Sequence, residues 1–139
     1  MSGETTLTVV GNLTSDPELR FTQTGKAVAN VTIASTPRIF DRASGEWKDG
    51  EALFLRGTIW DTYAENVAGS LEKGSMVMAT GVLQQRSYET KEGEKRTSME
   101  LLISEIGPAL RYATAVVTRV RKRELAAAGS HAAPDDKPF

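Results

Sequence analysis

Short runs of apolar and β-branched residues, each closed by Gly, Asn, Asp or Pro, set the rhythm of this chain. Leu7 to Val10 runs into Gly11-Asn12 and reads as a strand entering a turn. Asp16-Pro17 marks a second turn, Leu19 to Phe21 a short extended piece, and Thr24-Gly25-Lys26 a reversal. Val28 to Ala34 places Ala29, Val31 and Ile33 on one parity and Val28, Asn30 and Thr32 on the other, as a half-buried strand requires. Ser35 to Gly50 shows no period, and its Pro, Gly and basic residues fit a long loop or a loosely twisted hairpin extension. Glu51 to Trp60 alternates again. Leu53, Leu55, Gly57 and Ile59 take the core-facing parity, which sends Phe54, Arg56 and Trp60 to the opposite face.

One helix is signalled. Thr62-Tyr63-Ala64-Glu65 fits a capping box behind Asp61, and Tyr63, Val67 and Leu71 follow at helical spacing. Lys73-Gly74 supplies a basic last turn and a terminating glycine. Met76 to Leu83 is a strand that Gln84 to Thr90 prolongs in polar form. After the turn Lys91-Glu92-Gly93, Thr97 to Ile106 pairs back and stops at Gly107-Pro108. Ala109 to Val120 is β-rich at its end and reads as a further strand or an extended arm. Short strands with a single helix between the third and fourth predict an all-β class with one helix. The specific architecture is an OB-fold, a five-stranded Greek-key barrel with an extra C-terminal strand or arm.

Composition fits a chain with a true core: 139 residues, 40% hydrophobic and 25% charged, a length for one folded domain. The absence of cysteine excludes a disulfide scaffold, a zinc ribbon and a cysteine nucleophile. No apolar run is long enough to cross a bilayer, and the first residues carry no secretory pattern, so the expected compartment is the cytoplasm. The formal net charge of -1 names no partner, but its distribution is uneven. Residues 1–112 carry 12 basic and 15 acidic groups, whereas 113–139 carry 5 and 3. The basic surplus lies in Arg119, Arg121, Lys122 and Arg123, ahead of Asp135 and Asp136. The expected organisation is a domain over 1–112, a basic extension over 113–125, and a short tail over 126–139.

Catalysis finds little support. His131 is the single histidine and lies in a Gly/Ser/Ala/Pro stretch, so no nucleophile–base pair can be assembled. No phosphate-cradling loop, dinucleotide fingerprint or metal-ligand cluster is present, and no cofactor is expected. Aromatic residues beside basic ones are the stronger signal: Arg38, Phe40 and Arg42; Trp47 and Lys48; Phe54, Arg56 and Trp60; Arg86 and Tyr88. Bases of single-stranded nucleic acid stack on exposed rings while cations neutralise phosphates. For Phe54 and Trp60 the residues alone leave a core role equally open. Trp47, between Glu46 and Lys48 in a turn-rich stretch, is harder to bury.

Several motifs together resemble a known family. Val9-Val10-Gly11-Asn12-Leu13, Asp16-Pro17-Glu18-Leu19-Arg20-Phe21 and Ala27-Val28-Ala29-Asn30 are similar to the start of bacterial single-stranded DNA-binding proteins. Gly45-Glu46-Trp47-Lys48, Trp60, Ala64-Glu65-Asn66, Lys73-Gly74 and Gly81 continue that order. Gln85-Arg86-Ser87-Tyr88-Glu89 and Gly93-Glu94-Lys95-Arg96-Thr97 resemble the actinobacterial branch in particular.

The resemblance implies a non-catalytic OB-fold protomer that forms a homotetramer and binds single-stranded DNA with little sequence preference. Stacking is implied for Trp60, Phe54, Tyr88 and Phe40, with Phe21 near the DNA path; Trp47 joins the binding face on its own exposed setting. Phosphate contact is assigned to Arg38, Arg42, Lys48, Arg56, Arg86 and Arg96. A tip of Asp135, Asp136, Pro138 and Phe139 implies recruitment of replication, repair and recombination proteins at the nucleoid. Lys137 and a linker cut to about 125–134 depart from the family pattern and fit a short-tailed paralogue. Two rival readings stay open: an interaction module of the same family with weak DNA binding, and an RNA-binding OB protein.

Overall fold

Alternation of small apolar and polar residues makes the strands, and their pairing closes the sheet on itself. The computed structural model describes residues 3–120. The basic residues Arg121, Lys122 and Arg123, His131, and the tip residues Asp135, Asp136, Pro138 and Phe139 lie outside the described residues. The elements in chain order begin with β1 (Thr6–Leu13), β2 (Glu18–Phe21) and β3 (Ala27–Ser35). A ribbon of β4 (Arg38–Asp41) and β5 (Glu46–Asp49) leads to β6 (Leu53–Trp60) and helix α1 (Asp61–Ser70). β7 (Met76–Glu89) and β8 (Lys95–Pro108) complete the set.

The main sheet has the order β1-β7-β8-β6-β3-β2, and β1 also pairs with β3 through Asn12–Ala34 and Leu13–Ile33. That last pairing closes β1, β7, β8, β6 and β3 into a ring, with β2 as a flank on β3. β6 and β8 run parallel, from Arg56–Glu100 to Thr58–Leu102, while the other pairs are antiparallel. This is the expected OB-fold barrel. Ile33, Ile59, Val77 and Leu101 are the largest fully buried side chains and fill its interior. Gly81 sits at a bulge in β7, between Thr80 and Gly81, where the long β7–β8 ribbon bends to close the ring.

Three local expectations are corrected. The helix has no capping box: it starts at Asp61 with Trp60 as N-cap and no side-chain cap. β6 runs into α1 without a loop, and Asp61 makes the turn with φ 67, so Thr62 already lies inside the first turn. Asp61 still places an acidic residue in the first turn, at the positive helix end. The helix ends at Ser70, so Lys73-Gly74 is not its last turn. Those residues form the next turn, where Gly74 takes φ 91 and the Lys73 N–H donates to Asp16 Oδ1 at 2.8 Å. Leu53, expected in the core, is 58% exposed, because it pairs with Ser35 at the barrel rim where no interior remains to enter.

Ser35 to Gly50 adopts the hairpin alternative, with Phe40 paired to Trp47 and Arg38 to Asp49. Ala109 to Val120 forms no strand within the protomer and leaves Tyr112, Val116 and Val117 exposed as an arm.

Ala64 and Val67 bury one face of α1, and Tyr63 ties the helix to β8. The Ile106 N–H donates to the Tyr63 hydroxyl at 2.7 Å, and that hydroxyl donates to the Ile106 carbonyl at 3.1 Å. Tyr63 thus takes over the edge of β8 that β6 abandons after Leu102. Tyr63→Phe leaves the Ile106 N–H without this partner and is expected to cost about 1–2 kcal/mol. A thermal unfolding midpoint unchanged from wild type would remove this role. Burial raises the Tyr63 phenol above its ordinary value of 10.0. The neutral phenol is the form favoured by folding, so its contribution is whole below pH 10 and is lost as pH climbs through the raised value.

Candidate nucleic-acid interface

The parity of β6 decides the site. Leu55, Gly57 and Ile59 face the barrel interior, so Phe54, Arg56, Thr58 and Trp60 stand on the outside. Their β3 partners are Ala34, Thr32, Asn30 and Val28; the first three are small or polar and make a low floor between the rings, and Val28 is a buried apolar residue opposite Trp60. Phe54 is 63% exposed and Trp60 41%, which settles the choice between core and surface for both rings. Six residues of strand separate them by about 20 Å.

Beyond β6 the same outer face continues onto β8 and β7. Arg56 is in register with Glu100 and Thr58 with Leu102. Glu100 is opposite Gln84, Ser98 opposite Arg86, and Arg96 opposite Tyr88. Arg86, Tyr88 and Arg96 therefore lie on the β7–β8 extension past the Phe54 end of the row. Tyr88 is half exposed, Arg86 pairs with Glu100 at 3.6 Å, and Arg96 pairs with Glu94 at 3.0 Å.

The β4–β5 ribbon forms a sheet of its own. Its cross-strand rings Phe40 and Trp47 pack edge to face, with centroids 5.3 Å apart and planes at 61°. Both remain largely exposed. Arg38 bonds Asp49 at 3.3 Å, and Lys48 bonds Asp41 at 2.8 Å. Asp41 also accepts the Ala43 N–H at 3.0 Å and the Ser44 hydroxyl at 3.1 Å, which shapes the turn that carries Arg42. Lys48 first, then these turn donors, hold the Asp41 carboxyl below its ordinary value.

Phe21 is exposed but stands apart from this row. It pairs with Ala27, whereas Arg20 pairs with Val28, the residue opposite Trp60. Sequence reasoning missed Arg20 and Glu100. Strand parity was readable for each, but the register that sets them beside Trp60 and Arg56 is not a local property. Among the described residues no group of three or more His, Cys, Asp or Glu could hold a metal. None of the described helices is long and apolar enough to cross a membrane.

An OB-fold barrel with exposed rings and arginines along one outer face belongs to the class whose sheet face and loops take up oligonucleotides or oligosaccharides. Comparison with known proteins narrows that class. The chain belongs to the single-strand binding protein family, whose profile matches residues 5–109. It is 65% identical over 130 residues to a single-stranded DNA-binding protein of Paenarthrobacter aurescens, covering 94% of this chain and 76% of that one. With the single-stranded DNA-binding protein of Mycolicibacterium smegmatis it shares 68% over 122 residues, covering 88% and 74%. The crystal structure of a small single-stranded DNA-binding protein from Streptomyces coelicolor superposes with a TM-score of 0.68 at 31% identity. That match covers 78% of this chain and 97% of the other. The actinobacterial resemblance read from the motifs therefore holds.

Proposed function

We propose that this chain binds and protects single-stranded DNA with little sequence preference, as a non-catalytic partner of replication, repair and recombination. The observation that carries this reading is the outward row of Phe54, Arg56 and Trp60 on β6. Every base offers a flat face, so stacking on Trp60, Phe54, Tyr88 and the Phe40–Trp47 pair holds a strand without reading its sequence. Arg38, Arg42, Lys48, Arg56, Arg86 and Arg96 neutralise phosphates along the same path, and Arg20 joins them beside Trp60. Phe21 contributes from the edge. The acidic average of residues 1–112 does not oppose this, because affinity follows the charge of the bound face.

The assembly we propose is a homotetramer. Two features support it: Val10 and Met78, paired and exposed outside the β1–β7 sheet, and the arm with Val116 and Val117 in solvent. Residues 1–112 then form the binding and oligomerisation unit, 113–125 an extension that clasps a neighbouring subunit, and 126–139 the tail. The sequence of Asp135, Asp136, Pro138 and Phe139 supports a partner-recruiting tip, and the place of action is the cytoplasmic nucleoid.

Trp47 and Trp60 are the two tryptophans, so intrinsic fluorescence reports on the proposed path directly. Titration with oligo-dT is expected to quench it strongly. The affinity should fall with salt by a log–log slope of about -0.7 for each neutralised phosphate. A folded protein whose emission does not respond would favour the protein-interaction module instead. Equal affinity for poly-U and poly-dT would favour the RNA reading.

A further inference from the structure

Of the six cations assigned to phosphate, four are already paired in the free protein: Arg38 with Asp49, Lys48 with Asp41, Arg86 with Glu100 and Arg96 with Glu94. Three of these carboxylates belong to ribbon ends or turns. Asp49 and Glu94 side chains are 72% and 63% exposed, and Asp41 shapes its turn as described. Glu100 is different. It lies in the middle of β8, in register with Arg56 on one side and Gln84 on the other, and its side chain is only 20% exposed. Among the described residues its polar partner is Arg86 alone, and no backbone or turn group calls for a carboxylate there. A negative charge thus occupies the centre of a face assigned to a polyanion, between two arginines.

Resting on the proposed single-stranded DNA binding, we infer that Glu100 is a resident competitor for phosphate. It holds Arg86 in the free protein and lowers affinity for the strand. A bound phosphate must draw the Arg86 guanidinium from Glu100, and as the strand leaves, the carboxylate recaptures it. Glu100 therefore sets the rate of release as well as the strength of binding. Arg56, with no carboxylate within 4.0 Å among the described residues, meets the strand without such a competitor.

The test is Glu100→Gln, which keeps shape and removes the charge, measured by anisotropy of labelled oligo-dT over a salt series. Binding is expected to tighten about threefold to tenfold at low salt, chiefly through slower dissociation. The log–log salt slope should steepen by about 0.7, one further phosphate's worth. Arg86→Gln should then cost more in the Glu100→Gln background than in the wild type. Unchanged or weaker binding by Glu100→Gln, or additive effects of the two substitutions, overturns the inference and makes Glu100 a support that positions Arg86. Tight wild-type binding with an unaltered variant would end this inference alone. A wild type that fails to bind oligo-dT would end the proposed function with it.

Discussion

Trp60→Ala is expected to weaken oligo-dT binding by about 1–3 kcal/mol, roughly fivefold to 150-fold, without changing the salt slope. The two parts of that expectation come from different features of the site. Stacking exchanges ring–water for ring–base contact and displaces no counterion, so its loss lowers affinity equally at every salt concentration. Arg56→Gln should do the reverse in character, flattening the slope by about 0.7 because one phosphate goes unneutralised. A labelled oligonucleotide read by anisotropy is the suitable measurement, since removing Trp60 leaves only Trp47 to fluoresce.

The substitution is also clean with respect to folding. Trp60 is the N-cap residue of α1 but contributes no side-chain cap, so the helix start does not depend on its ring. Trp60→Phe keeps a flat ring beside the cross-strand partner Val28 and should restore much of the loss. Phe54 stands about 20 Å away and meets a different base. Phe54→Ala and Trp60→Ala should therefore combine additively within a few tenths of a kcal/mol. Unaltered affinity in Trp60→Ala would take the strand off this face of the barrel.

What the sequence could reveal followed from what one strand knows about itself. β6 was readable because one face is buried, so period-two alternation marks Leu55, Gly57 and Ile59 as inward and Phe54, Arg56 and Trp60 as outward. The β4–β5 ribbon remained ambiguous because every residue in it is at least partly exposed, leaving no alternation to read. Leu53 misled because parity persists past the point where the barrel interior ends. The helix start was misplaced because Thr62 and Glu65 fit a capping box that needs a loop before it, and β6 leaves none. Glu100 and Arg20 needed register between strands far apart in sequence. Arg56 and Glu100 meet across the parallel β6–β8 pair, which no short-range pattern announces. Strand order pointed to the fold, and aromatic–basic clustering with the family resemblance pointed to the rings, but the carboxylate at the centre of the face emerged only from the pairing.

Gly81→Val is expected to be severely damaging to the barrel wall, costing about 3 kcal/mol or more. A Cβ at Gly81 would stand 2.8 Å from the Ile103 Cα, with the Leu102 carbonyl oxygen closer still. Both obstacles are backbone, so no rotamer change can clear them. Nor can β8 retreat, because Leu101 and Ile103 on either side are buried in the core. The clash falls at the bulge that lets β7 and β8 bend, so relief would have to come from opening the ring. A fall in the unfolding midpoint on the order of 10 °C is the expected reading. DNA affinity should fall with it, since β8 is the strand that keeps Arg56 on β6 in line with Arg86 and Tyr88 on β7. Gly69→Ala provides the contrast: that glycine lies in α1 with open space around its Cβ position and no positive φ. There the gain in helix propensity should raise stability by about 0.5–1 kcal/mol. If Gly81→Val unfolded at the wild-type temperature, the bulge would not be the fixed corner of the barrel, and the face built on β8 would owe its geometry to something else.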